Sequence, residues 1–427
     1  MEDKVTRLSD EPSDNEPLKQ DELAKKESLN EELAPKSPEN EEALPSEDGG
    51  TPSAETEEVH TVERPKKKKY GWLGYVLLLA AIALGVYMMF RVVYDMGDDI
   101  KSFDDVIRAS NWRFAVITVA VLLIIFACQW LQYSVIMKTT TGKFHLAAGL
   151  KVMFVGKFYD NVTPFSTGGQ PMQIYYLNKS GLKGGTASAV VMIKYFAWMF
   201  CWLIICMLFM ACCTGVLATY VPVQSDRLYM LIMGWIGLAV NMFLPLLVIL
   251  FVVLPKFSKA LVKALITIGR KLKIVKDPQR SFYKIERMVH DFRESFKIMS
   301  KNPIGFISLI LLCSAEILLN FAFPYFVMKM LSALTPADGI GIMVNVTAIN
   351  IYAAMSVCIV PTPGNAGAIE LVVTKAFAAV ASNVLLWTVF AWRFGTYYVY
   401  ILIGLVMTVY DFFNKLAKNK KKKKTRI

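Results

Sequence analysis

The sequence predicts an all-α polytopic membrane protein with about six spanning helices plus two re-entrant broken-helix hairpins, arranged as inverted repeats. Three observations carry this expectation. The 427-residue chain is 55% hydrophobic with a mean hydropathy of +0.41, too apolar for an ordinary soluble domain. Its Lys and Arg residues gather at the ends of apolar runs. Two ten-residue stretches interrupt apolar sequence at matching places in two halves: PFSTGGQPMQ, from Pro164 to Gln173, and PTPGNAGAIE, from Pro361 to Glu370. Prolines and glycines at that density cannot continue a helix. In hydrocarbon, broken backbone is tolerated only where protein buries it or a water-filled cavity borders it.

Taken in order, residues 1–65 form the first part, an acidic tail. Residues 1–63 hold 20 Asp/Glu against six Lys/Arg and almost no aromatic or β-branched side chains. Such a segment buries too little apolar surface to offset its ordering entropy, so disorder is expected, with no signal peptide. The transmembrane domain spans 66–415. Arg64 and Lys66 to Lys69 form a basic collar before the first apolar span, Gly71 to Phe90, whose roughly twenty residues suit about 30 Å of hydrocarbon. The collar assigns the N-terminus to the cytoplasm. Residues 91–112 carry five aspartates and are expected outside. Phe114 to Met137 then returns inward.

Residues 147–186 do not read as a normal span. A short apolar helix leads to Asp160, Asn161 and the first break, and a second short piece, Met172 to Leu177, follows it. This predicts a hairpin that enters and leaves on the cytoplasmic side. Ala187 to Cys213 runs outward with Lys194 in it, and Leu228 to Leu254 returns. Residues 255–302 hold 13 Lys/Arg and four Asp/Glu, a strong cytoplasmic signal. Within them Phe282, Ile285, Val289, Phe292, Phe296 and Met299 recur at helical spacing. That pattern is expected either to lie on an anionic membrane surface or to pack on the protein's own loops. A span from Pro303 to about Met330 carries Glu316 and Asn320. The second broken region is entered and left from outside, and Val384 to Phe413 carries Arg393 inward. Residues 416–427 form a basic cytoplasmic tail, an anchor for lipid headgroups with no nucleic-acid role. Both termini of this multi-pass cell-membrane protein are therefore expected in the cytoplasm.

Written as directions, the two halves are one unit inverted, the sequence sign of a transporter built from repeats. Each break is followed by a long apolar segment with a single cation, Lys194 or Arg393. Ionisable groups at membrane depth are costly and normally face a protein interior or an aqueous path. The candidate substrate-binding residues are therefore Arg393, Glu370, Lys194, Glu316, Gln173 and Asp160, with Lys157 beside them. Arg393 and Glu370 are expected in one polar cavity, with Lys194 and Glu316 on its opposite wall. Arg393→Ala is expected to lose transport while keeping the fold. The hairpin breaks are assigned to Pro164, Gly168, Gly169, Pro171, Pro361, Pro363, Gly364 and Gly367. Lys375 is positioned to snorkel from its hairpin. The seven cysteines fall in apolar segments without metal-ligand or disulfide spacing, so no metal, cofactor or catalytic residue is assigned. No GxxxxGK[ST] loop occurs, so transport would be downhill or driven by an ion gradient or the membrane potential.

The stretches TPFSTGGQP…YYLNKSG, PTPGNAGAIE and AWRFGTYY resemble the lysylphosphatidylglycerol synthase transmembrane region, the flippase-like membrane family, over about residues 70–415. The resemblance implies a helical membrane domain with re-entrant elements, and movement of an aminoacylated phospholipid between leaflets linked to resistance against cationic antimicrobial peptides. Carried over by motif, it implicates Gly168, Gly169 and Gln173 in the first break, Pro363, Gly364 and Glu370 in the second, and Arg393. The synthase's soluble aminoacyl-transferase domain is expected to be absent. The leading expectation is a flippase for an anionic, aminoacylated or other polar-headgroup phospholipid. The alternatives are a lysyl-tRNA-dependent phosphatidylglycerol lysyltransferase acting with a separate synthase subunit, and a non-transporting membrane scaffold.

Overall fold

The computed structural model describes residues 102–163, 166–254, 266–267 and 297–424. The expected acidic tail, the collar, the span Gly71 to Phe90, Pro164, and the amphipathic run from Phe282 to Phe296 lie outside these residues. Among the described residues every regular element is helical. The first half holds α1 (Phe103–Ala109), α2 (Trp112–Thr141), α3 (Leu146–Val162), α4 (Gly169–Lys179), α5 (Gly184–Cys212), α6 (Gly215–Tyr220) and α7 (Gln224–Val253). The second holds α8 (Pro303–Met330), α9 (Ile340–Ser356), α10 (Ala368–Ala381), α11 (Leu385–Arg393) and α12 (Val399–Lys424). A 3-10 turn, Pro363–Asn365, lies between α9 and α10, and a π-turn, Phe394–Tyr398, joins α11 to α12.

Helix ends follow the local chemistry. Asn111 caps α2 by accepting from the Arg113 N–H, and the helix stops at Gly142 in left-handed backbone. Asn302 caps α8, with Pro303 in the first position where no N–H is needed. Pro324 interrupts α8 from within. Side chains of neighbouring helices bond carbonyls near that interruption: Asn350 Nδ2 donates to Phe321 O at 3.0 Å and Thr118 Oγ1 to Phe326 O at 3.0 Å.

Five described stretches are long and apolar enough to cross a membrane: Trp112–Thr141, Gly184–Cys212, Pro303–Met330, Pro363–Ala381 and Leu385–Asp411. This is a multi-pass membrane protein. Four of the five coincide with expected spans, and the expected Leu228 to Leu254 span is α7. The fifth differs from the expectation, which placed it in a re-entrant hairpin. Its 19 residues include the 3-10 turn, where Gly364 leaves helical backbone with φ +57°. The α-helical part, α10, has 14 residues, and at about 1.5 Å each it falls short of roughly 30 Å of hydrocarbon.

The two halves repeat the same order of elements. A helix of 30 or 28 residues is followed by one of 17 in both halves, then a break, a short helix, and another long helical stretch. Packing within each half also repeats. In the first half α2–α3, α3–α4, α4–α5 and α2–α5 touch; in the second, α8–α9, α9–α10, α10–α11 and α8–α11 do. The halves join along α2 and α8, along α3 and α12, and through α5 against α8 and α9. Two crossings are close enough to need glycine: a Cβ on Gly404 would lie 2.3 Å from Phe158 Cβ, and one on Gly237 would lie 2.0 Å from Met355 O.

Candidate functional site

Each broken hairpin restarts its second limb by capturing a backbone N–H with a carboxylate. In the first, Asp160 near the end of α3 reaches across the break, and its Oδ1 accepts from the Gly169 N–H at 2.9 Å. This satisfies one of the donors left free at the start of α4. A Cβ on Gly169 would lie 2.1 Å from that oxygen, so glycine is the residue that admits the contact. Thr163 Oγ1 accepts from the Gly168 N–H at 2.9 Å. Pro171 sits in the first turn of α4, where its missing N–H costs nothing, so the helix resumes earlier than the proline implies. Gln173 is buried, with its side chain lying over the Gly156 backbone.

In the second hairpin, Glu370 reaches back from the first turn of α10, and its Oε2 accepts from the Gly367 N–H at 2.7 Å. This is half of a capping box. Its other oxygen, Oε1, accepts from Arg393 Nε at 2.5 Å, while Arg393 Nη2 donates to Gly364 O at 3.1 Å. The pair is enclosed, with side-chain exposures of 8% for Arg393 and 2% for Glu370. Pro363 is buried and Pro361 exposed.

The π-turn after Arg393 sets the next contact. A π-turn carries an extra residue per turn, and here it brings Tyr397 beneath the guanidinium, 4.4 Å from Cζ to the ring centre. Tyr397 Oη then donates to Asn161 O at 3.0 Å, with Pro363 O at 3.4 Å, and Asn161 Nδ2 donates to Tyr397 O at 3.4 Å. Tyr397 therefore ties the first break to the second. Neither Tyr397 nor Asn161 stood among the expected site residues.

The remaining expected residues form a second group between α2, α3, α5 and α8. Gln129 Nε2 donates to Glu316 Oε1 at 2.9 Å, and Gln132 Nε2 lies 3.5 Å from its Oε2. Lys194 Nζ is 5.6 Å from the ring centres of both Tyr133 and Trp198; Lys157 Nζ is 5.8 Å from Trp198 and 5.9 Å from Tyr400. Lys157, Asp160 and Lys194 are half-buried and share one electrostatic neighbourhood with Glu316. Among the described residues neither lysine has a carboxylate within salt-bridge distance. The expected single cavity, with Arg393 and Glu370 facing Lys194 and Glu316, thus resolves into two groups joined through adjacent residues Asp160 and Asn161. Arg393 is neutralised by Glu370; Lys194 is not neutralised in this way.

Three further ion pairs, two of them sharing Asp411, hold the hairpins to neighbouring helices. Asp411 on α12 binds Lys151 of α3 at 2.6 Å and Lys179 of α4 at 2.9 Å, clamping both limbs of the first hairpin. Lys375 on α10, expected to snorkel, pairs with Asp226 in the first turn of α7 at 2.7 Å. Asp411 is 10% exposed and holds two charge-assisted bonds, whereas the Lys375 side chain is 49% exposed. Asp411→Asn is therefore expected to cost about 1.5–3 kcal/mol, and Asp226→Asn about 0–1 kcal/mol. Hydrogen exchange over 146–179 checks this: only Asp411→Asn should speed it. Equal, small effects for both variants would reduce the Asp411 clamp to a surface pair.

Residues 76–404 match the family described as Lysylphosphatidylglycerol synthase TM region. No curated protein matches the chain.

Proposed function

The chain belongs to the lysylphosphatidylglycerol synthase TM-region family, and we propose from that premise that it moves a phospholipid headgroup between leaflets through its polar interior. One observation carries this reading: Lys157 and Lys194 are half-buried, without a carboxylate in salt-bridge distance among the described residues, beside two helix breaks tied together by Tyr397. Ionisable side chains inside a membrane bundle are costly and normally line a site or path. Broken hairpins at equivalent places in two halves are where transporters place such a site. Under this reading the hairpins are re-entrant and acyl chains stay in the bilayer. Lys157, Lys194, Asp160, Glu316 and Gln173 border the headgroup, while Arg393 and Glu370 hold the second break in shape.

The test is lipid movement in vesicles reconstituted with the purified full-length protein and a headgroup-compatible fluorescent phospholipid. Reductant added outside should bleach about half the label in empty vesicles and nearly all of it in protein-containing ones if the reading holds. Transfer of labelled lysine from lysyl-tRNA to phosphatidylglycerol without lipid movement would instead assign a lysyltransferase. Neither activity would leave a scaffold.

A further inference from the structure

We propose that Cys201 and Cys313 form an oxidisable thiol pair whose disulfide staples the two halves of the molecule together. That the staple stops lipid movement rests on the transport reading above. Cys201 stands on α5, in the first half, and Cys313 on α8, in the second, and these two helices pack against each other. The residues lie far apart in sequence, yet both are buried, at 4% and 0% exposure. Cys201 sits over one turn of α8. Its S–H donates to Ile310 O at 3.8 Å, while its sulfur accepts from the Cys313 S–H, with the Ser314 hydroxyl alongside. Both belong to one apolar cluster with Ile205, Leu309 and Ile317, so close packing holds the sulfurs as neighbours.

Two thiols in contact have a chemistry that a lone buried thiol lacks. The co-reactant is a small uncharged oxidant that crosses hydrocarbon, a peroxide. The Cys201 sulfur attacks one peroxide oxygen, the O–O bond breaks, and the first water leaves with the thiol proton. The Cys313 sulfur then attacks the resulting sulfenic acid, the S–O bond breaks, and a second water leaves. The two sulfurs give up two electrons and the peroxide takes them. Because the second thiol is already in contact, condensation is favoured over further oxidation. The bond needs Cβ atoms about 3.5–4.5 Å apart, so it holds α5 against α8 in one register. It closes beside the polar interior. Cys201 follows Lys194 by about two turns of α5, and Cys313 lies about one turn before Glu316 on α8. A path between inverted halves needs one half to rock against the other, and a covalent bond across their contact prevents that.

The experiment treats full-length wild-type protein in vesicles with hydrogen peroxide, removes the excess, and follows the same fluorescent phospholipid. In parallel, thiols are counted with a maleimide after denaturation, and a non-reduced digest is searched by mass spectrometry. A peptide pair joined through Cys201 and Cys313 should appear, with two of the seven thiols lost. Lipid movement should be lost with those thiols and return on reduction with a phosphine, which separates a disulfide from methionine oxidation. Cys201→Ser and Cys313→Ala should keep lipid movement under peroxide. Cys212→Ser, which removes an exposed thiol, should respond as the wild type does. If a variant of the pair fails to fold, the linked peptide and its reversal in wild-type protein still decide. Both thiols free and no linked peptide overturns the pair. A linked peptide with unchanged lipid movement overturns the staple. No movement before peroxide overturns the transport reading, and the linked peptide then decides the thiol pair alone.

Discussion

Arg393→Ala is expected to destabilise the helical bundle by about 3–5 kcal/mol, the cost of leaving one member of a buried ion pair without the other. Glu370 has nowhere to turn: one oxygen is bound to Arg393, the other to the Gly367 N–H, and the residue is 2% exposed. Losing the guanidinium also strips the Gly364 carbonyl of its donor at 3.1 Å. Native stabilities are on the order of 5–15 kcal/mol, so this single change should remove a large share. Thermal unfolding in detergent, followed by tryptophan fluorescence and size exclusion, measures it. Arg393→Lys keeps the charge but not the two-direction donor geometry, so an intermediate loss is expected. The double variant Arg393→Met with Glu370→Met should recover much of the stability, because no buried charge is left over. The expectation read from sequence was that Arg393→Ala would abolish transport with the fold intact. Wild-type stability in that variant would restore Arg393 to the lining of the path.

That shift shows which parts of the molecule were legible. Both breaks were readable because proline and glycine clusters in apolar sequence have a direct steric meaning. The long helices were readable from their length in apolar residues. Lys194, Glu316, Glu370 and Arg393 were identifiable as interior groups because charge at membrane depth is costly. Their grouping was not readable, because it depends on the rotational phase of each helix. The π-turn at Phe394–Tyr398 changes that phase just after Arg393, and FGTYY carries no mark of it. Asn161 and Tyr397 were missed for a related reason: their decisive bonds involve backbone carbonyls, which every residue has. Gln129 and Gln132 could have been found. Two amides three residues apart in an apolar span fall on one helical face, and that face meets Glu316. The stop and restart of the first break were misjudged by a few residues, since a proline in a helix's first turn looks like any other proline.

Gly364→Ala is expected to cost about 2–5 kcal/mol, and the loss should come from the contact between the breaks rather than from the second break alone. Two effects add. The backbone at Gly364 has φ +57°, where a Cβ costs roughly 1–2 kcal/mol. That Cβ would also lie 2.2 Å from Tyr397 Cε2, and overpacking of a buried ring costs about 1–3 kcal/mol. The ring cannot move aside freely. Its hydroxyl is held to Asn161 O and Pro363 O, and its face lies under Arg393 at 4.4 Å. Displacing it therefore loosens both hairpins at once. A double-mutant cycle separates the two effects. With Tyr397→Ala as background, the clash disappears, and Gly364→Ala should cost only the backbone share, about 1–2 kcal/mol. The difference between the two backgrounds measures the coupling of glycine to ring, expected at 1 kcal/mol or more by the same overpacking scale, roughly. Hydrogen exchange adds the spatial readout: Gly364→Ala should raise exchange around Asn161, more than 200 residues away in sequence but one hydrogen bond from Tyr397. An equal cost in both backgrounds, with exchange near Asn161 unchanged, would reduce Gly364 to a local turn residue and separate the two breaks mechanically.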